Sequence, residues 1–96
     1  MTDFVIHPAA QAEYERAADW YAERSTMAAQ RFVSEVEAAV KAIRKHPDSY
    51  ARLDETHHLY LLNRFSYYVA YRQKPGLVQV VAIRHAAQDQ EAWKGR

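Results

Sequence analysis

With 96 residues, no cysteine and a net charge of +1, the chain has enough length for one small core but not for a second domain or an elaborate catalytic cleft. The absence of cysteine excludes disulfides, thiolate nucleophiles and cysteine-ligated zinc, so stability must come from packing, in keeping with a reducing compartment. The near-neutral balance argues against a general nucleic-acid coat protein. Residues 1–48 carry 8 acidic and 6 basic side chains and residues 49–96 carry 4 and 7, which makes the second half the mildly basic one.

The stretch from Met1 to Pro8 lacks the basic start and apolar centre of a signal peptide, and no run approaches the roughly 18–20 apolar residues of a membrane span. A single cytoplasmic domain over residues 1–96 is the expectation. Phe4-Val5-Ile6 is β-prone and ends at Pro8, which suits the first position of a helix because its missing N–H would be unpaired there. From Ala9 to Arg24, Ala10, Tyr14, Ala17 and Tyr21 recur along one helical face, while Glu13, Arg16, Asp19 and Glu23 are expected on the others. Ser25 and Thr26 are good N-cap residues for a second helix, in which Ala29, Phe32, Val36, Ala39 and Ile43 repeat the period up to His46. Lys41, Arg44 and Lys45 oppose the negative end of its dipole, and Pro47 stops it.

So short a connection predicts a helical hairpin, and neither helix can bury its apolar stripe alone. Three β-prone runs follow, Leu59–Leu62, Tyr67–Arg72 and Leu77–Ile83, the last two joined by the turn Gln73-Lys74-Pro75-Gly76. In the middle run Tyr67, Val69 and Tyr71 alternate with Tyr68, Ala70 and Arg72, so one face can pack on the helices while the other presents tyrosine and arginine. The predicted fold class is α+β, in the order β-α-α-β-β-β, with the hairpin packed on a small antiparallel sheet. Gln88–Trp93 could add a short C-terminal helix anchored by Trp93.

Chemistry-bearing residues are few. His85 has the right intrinsic pKa for proton transfer, but a histidine ending a buried strand more often bonds backbone. His57-His58 would point to opposite sides of an extended chain and has no partner at convincing ligand spacing, so no metal or cofactor is expected. Trp20 and Tyr21 sit about 100° apart on a helix and cannot both reach the core centre. Tyr21 is expected inside, with Trp20 bordering a groove.

Pro8 with its Ala-rich helix, Asp19-Trp20-Tyr21, Arg31-Phe32 and His46-Pro47 form a pattern that continues in Arg64-Phe65-Ser66-Tyr67-Tyr68-Val69-Ala70-Tyr71 and Val80-Val81-Ala82-Ile83-Arg84-His85. Across nearly the whole chain this resembles the RelE/ParE toxin superfamily, and within it the ParE-like, plasmid-stabilisation branch. Ser66 stands where that pattern usually has proline. The resemblance implies the toxin of a type II toxin–antitoxin module, a growth inhibitor held silent in a hetero-oligomer with a cognate protein antitoxin. ParE-like members are associated with inhibition of DNA gyrase, whereas RelE-like members cut messenger RNA on the ribosome.

RNA cleavage through the 2′-hydroxyl needs a proton acceptor, positive charge at the phosphorane and an acid for the leaving oxygen. After Tyr67, where a sheet arginine would serve, stands Tyr68, and beyond His85, where a basic pair is common in the family, stand Ala86-Ala87. The reading is therefore a noncatalytic gyrase inhibitor that needs no sequence-specific nucleic-acid contact; the alternatives are a RelE-like endonuclease and a nontoxic interaction domain. Arg84, His85, Trp93, Lys94 and Arg96 are the expected target-binding face, and Trp20 the expected antitoxin contact.

Overall fold

A computed structural model describes residues 2–96; Met1, part of the domain expected over residues 1–96, lies outside them. Strand β1 (Asp3–Ile6) leads at once into helix α1 (Pro8–Arg24). Pro8 occupies the first turn, as its missing donor permits, and the cap is His7, whose Nδ1 accepts from the Ala9 N–H at 3.0 Å. Ser25 then serves both helices. Its N–H closes α1 on the Tyr21 carbonyl at 2.7 Å, and its Oγ caps α2 (Thr26–Lys45) by accepting from Ala28 N at 3.1 Å. One shared residue makes the hairpin tight.

Both helices lie on one face of a five-stranded sheet completed by β2 (Ala51–Arg52), β3 (His57–Leu61), β4 (Tyr67–Lys74) and β5 (Leu77–His85), in the order β1-β5-β4-β3-β2. Strands β2 to β5 form the antiparallel meander that short loops favour. The sheet is nevertheless mixed, because β1 runs parallel to β5 with Asp3 opposite Leu77 and Ile6 opposite Val80. A four-residue strand carries no sequence signal for its partner's direction, and the two-residue β2 is shorter than any periodicity can reveal. The β4–β5 turn narrows to Pro75-Gly76, where Gly76 takes a φ of +74° that other residues adopt only at a cost.

Phe32, Val36, Ala39 and Ile43 of α2 and Ala10 and Ala17 of α1 are buried against Val69, Tyr71, Val78, Val80 and Ile83 of the sheet. Each large member contributes roughly 1.5–3 kcal/mol through apolar burial. Tyr14, Tyr21, Phe65 and Tyr67 surround Phe32, with ring centroids at 5.0–6.2 Å in mostly edge-on or tilted arrangements. Tyr71 donates its hydroxyl to the Pro47 carbonyl, which ties the end of α2 to the sheet.

The opposite sheet face is not open. A bulge between Ala70 and Tyr71 leaves Val81 as the extra residue of β5, so Val81 and Ala82 both turn away from the helices and Ile83 turns back towards them. Tyr68, Ala70, Val81 and Ala82 form a second apolar cluster covered by Trp93, the last residue of a 3₁₀ turn, Gln90–Trp93. The tyrosine face anticipated as exposed is thus covered by the chain's own C-terminal segment. The expected terminal helix is this shorter turn, capped by Asp89, whose carboxylate accepts from Glu91 N at 2.9 Å. His57 and His58 fall on opposite faces: His57 lies beside Trp93 with its Nδ1 3.0 Å from Asp54 Oδ1, and His58 stacks on Tyr71.

Candidate functional site

Helix α1 carries Glu13, Arg16, Ala17 and Trp20 at three- and four-residue spacing, so all four line one stripe beside the last residues of β5. Strand β1 covers only Leu77–Val80 of β5, and among the described residues no strand flanks the backbone from Val81 to His85 on that side. Buried backbone groups must find partners elsewhere. Glu13 Oε1 accepts from the Ile83 N–H at 3.1 Å, Arg96 Nη1 donates to the Val81 carbonyl at 3.0 Å, and the Gln88 side chain accepts from His85 N at 2.9 Å. Side chains thus close an edge that would otherwise invite another strand.

Glu13 is the hub. Besides the Ile83 amide, its carboxylate accepts from Arg84 Nη1 at 2.8 Å and from Arg96 Nη1 and Nη2 at 2.9 and 3.0 Å, the paired geometry that makes arginine–carboxylate bonds strong. Its side chain is only 7% exposed, and those of Arg84 and Arg96 are 16% and 19%. Burial pushes the Glu13 carboxyl up, but the hydrogen bonds from Arg96, Arg84 and Ile83 outweigh it and hold the group below its ordinary value. One buried carboxylate thus faces two guanidinium groups.

In front of this cluster lies a groove of about 400 Å³ lined by Glu13, Arg16, Trp20, Tyr21, Tyr67, Arg84, His85 and Gln88, among others. Trp20 is 50% exposed and meets Tyr21 edge-on at 5.1 Å, while Tyr21 itself packs on Phe32. The Arg24 guanidinium lies 3.7 Å from the Trp20 ring centroid and donates to the Trp20 carbonyl. The His85 ring meets Tyr67 edge-on, and its Nδ1 accepts from the Ala87 N–H at 3.0 Å. That bond leaves Nε2 as the protonated nitrogen of the neutral ring.

The five residues expected as a target-binding face are only partly brought together. Arg84 and His85 line the groove, and Arg96 stands behind Glu13. Lys94 turns to Glu91 at 3.0 Å. Trp93 is a correction: fully buried, with its Nε1–H donating to the Tyr68 hydroxyl at 2.9 Å, it offers no surface to a target and holds the tail on the sheet. The residue overlooked in the sequence is Glu13, expected on a helical face other than that of Ala10 and Ala17. Its position three after Ala10 and four before Ala17 already placed it on their face. Among the described residues no group of three or more metal-ligating side chains assembles.

A family model described as "ParE toxin of type II toxin-antitoxin system, parDE" matches residues 4–90. The chain belongs to the ParE toxin family. Among solved structures, a chain of the "Chromosomal ParDE TA system from P. aeruginosa" superposes on this ParE-family fold with a TM-score of 0.76 at 19% identity, covering 88% of this chain and 96% of that one. No curated protein matches. Among the described residues of this ParE-family chain, no helix is long and apolar enough to cross a membrane.

Proposed function

We propose that this chain arrests growth by binding DNA gyrase in the cytoplasm, is silenced by a cognate protein antitoxin, and cuts no RNA. The observation that carries the noncatalytic part is the covered sheet face. Where the resemblance to RelE-like members would put basic groups for cleavage, Tyr68 is 1% exposed and hydrogen-bonded to Trp93, among Ala70, Val81 and Ala82. The polar candidates are also engaged structurally, Arg84 by Glu13 and the His85 Nδ1 by a backbone amide. A general base needs a free lone pair within reach of the hydroxyl proton. Arg84, His85, Lys94 and Arg96 remain the basic groups of the proposed target-binding face, now with Trp93 as its anchor rather than a contact.

Two features support the antitoxin reading. Trp20 stands half-exposed at the groove on α1, a large amphipathic side chain of the kind that anchors interfaces. One of the two sheet edges is β1, where Val5 and Ile6 are 42% and 37% exposed beside an apolar trough of about 290 Å³ lined by Ile6, Tyr14, Val36 and Val40, among others. An extended antitoxin segment could add there as a sixth strand and place an apolar side chain in the trough. Ala86-Ala87, in place of the usual basic pair, keeps a nontoxic interaction domain as the second reading.

Induced expression without antitoxin, followed by growth, plasmid supercoiling and messenger RNA integrity, separates the readings. Arrest with altered supercoiling and intact transcripts is expected. Cleaved transcripts point to an endonuclease, and normal growth from folded protein points to the nontoxic domain.

A further inference from the structure

Charge around the groove on α1 does not balance. Glu13 supplies one negative charge, while Arg84 and Arg96 on the same carboxylate supply two positive ones, all three side chains less than a fifth exposed. Arg16, one helical turn beyond Glu13 on the groove wall, forms no ion pair or hydrogen bond among the described residues. The Arg84 Nε–H is buried and has no acceptor among the described residues. An excess of positive charge in a partly desolvated site raises the affinity of an incoming anion and costs stability while the site is empty. The surrounding wall is aromatic, from Trp20, Tyr21 and Tyr67, and the remaining donors are the Arg16 guanidinium, the unused N–H groups of Arg84 and the His85 Nε2–H.

We infer that this groove takes an aspartate or glutamate side chain of the antitoxin, flanked by an apolar side chain on Trp20, with the carboxylate held by Arg16 and Arg84. The inference rests on the antitoxin reading above and adds the chemistry of the contact. A carboxylate restores the missing negative charge, while the aromatic wall receives the neighbouring apolar group. Arg16 is the discriminating position, because it is exposed and has no hydrogen-bond or ion-pair partner among the described residues, so its replacement leaves the Glu13 cluster intact.

The test titrates the ¹⁵N-labelled full chain with the acetylated, amidated tripeptide Leu-Glu-Leu, with its Leu-Gln-Leu counterpart, and with inorganic phosphate. The Trp20 indole N–H and the Ile83 and His85 amides should shift with the glutamate peptide, with affinity about tenfold or more weaker for the glutamine peptide and for Arg16→Glu. An equal response to both peptides overturns the carboxylate claim. Phosphate shifting the same signals at lower concentration than the peptide overturns it in favour of a phosphate site. In cells, an antitoxin that neutralises Arg16→Glu as well as the wild type overturns the groove as its acidic contact but leaves the toxin reading standing. Growth that neither arrests nor needs an antitoxin overturns the proposed function and the occupant with it, whatever the peptides show.

Discussion

Glu13 shows how one side chain can decide where a chain end lies. Four donor contacts converge on it from β5 and from Arg96, 83 positions away. Glu13→Gln would leave two partly buried guanidinium groups without their counter-charge, an expected loss of about 3–5 kcal/mol in unfolding free energy, measurable by urea denaturation at pH 7. The pH dependence follows from the sign of the shift. Because the folded-state pKa is depressed, the stabilisation is full above the unfolded-state pKa and is lost as pH falls through the folded one. The difference between wild type and Glu13→Gln should therefore shrink between pH 5 and pH 3, about the carboxylate range. A constant difference would mean that Glu13 acts through shape alone. Trp93 is the second such residue. Trp93→Ala should cost about 3–5 kcal/mol from cavity formation, while Trp93→Phe should cost about 1 kcal/mol for the lost bond to Tyr68, plus a modest packing loss. A tail that only kept the protein soluble would show neither loss.

At the scale of elements, most of the fold was legible because each helix announces itself at both ends. Pro8, Ser25 and Pro47 mark boundaries that the structure keeps within one or two residues, and the 3.6 period of Phe32, Val36, Ala39 and Ile43 names the face of α2 that is buried. The alternation in β4 likewise separates Tyr67, Val69 and Tyr71 from Tyr68 and Ala70. What could not be read were relations between distant segments: the parallel pairing of β1 with β5, the bulge at Val81, and the return of Trp93 over the second sheet face. None of these leaves a local pattern. The candidate site was legible only in part for the same reason: Trp20 and the Arg84-His85 strand end were visible, but the link joining them through Glu13 and Arg96 spans the chain. Ser25 gives a test at this scale. Ser25→Ala removes the side-chain cap of α2 and should cost about 1 kcal/mol in unfolding free energy, with Ser25→Asp retaining most of the stability. No loss on Ser25→Ala would mean that the hairpin is set by packing alone.

Over the whole molecule, the sheet separates two jobs. Its helix side holds the main core, and its other side is sealed by the C-terminal segment, so the accessible chemistry is left at the sheet's edges and on the α1 groove. Deleting residues 88–96 therefore removes the Trp93 cover and the Arg96 tie together, and is expected to lower the unfolding midpoint sharply rather than to isolate toxicity. Lys94→Ala, which removes a side chain whose one polar partner among the described residues is Glu91, is the cleaner probe of the basic tail: it should leave stability within about 0.5 kcal/mol and weaken target binding if the tail is a contact. Full growth inhibition by a stably folded Lys94→Ala would remove that residue from the target-binding face.

The most direct measurement is a DNA supercoiling assay with purified gyrase and the purified full chain, run beside ribosomes programmed with messenger RNA. The account predicts inhibited supercoiling and intact messenger. Undisturbed supercoiling together with messenger cut on the ribosome would contradict it.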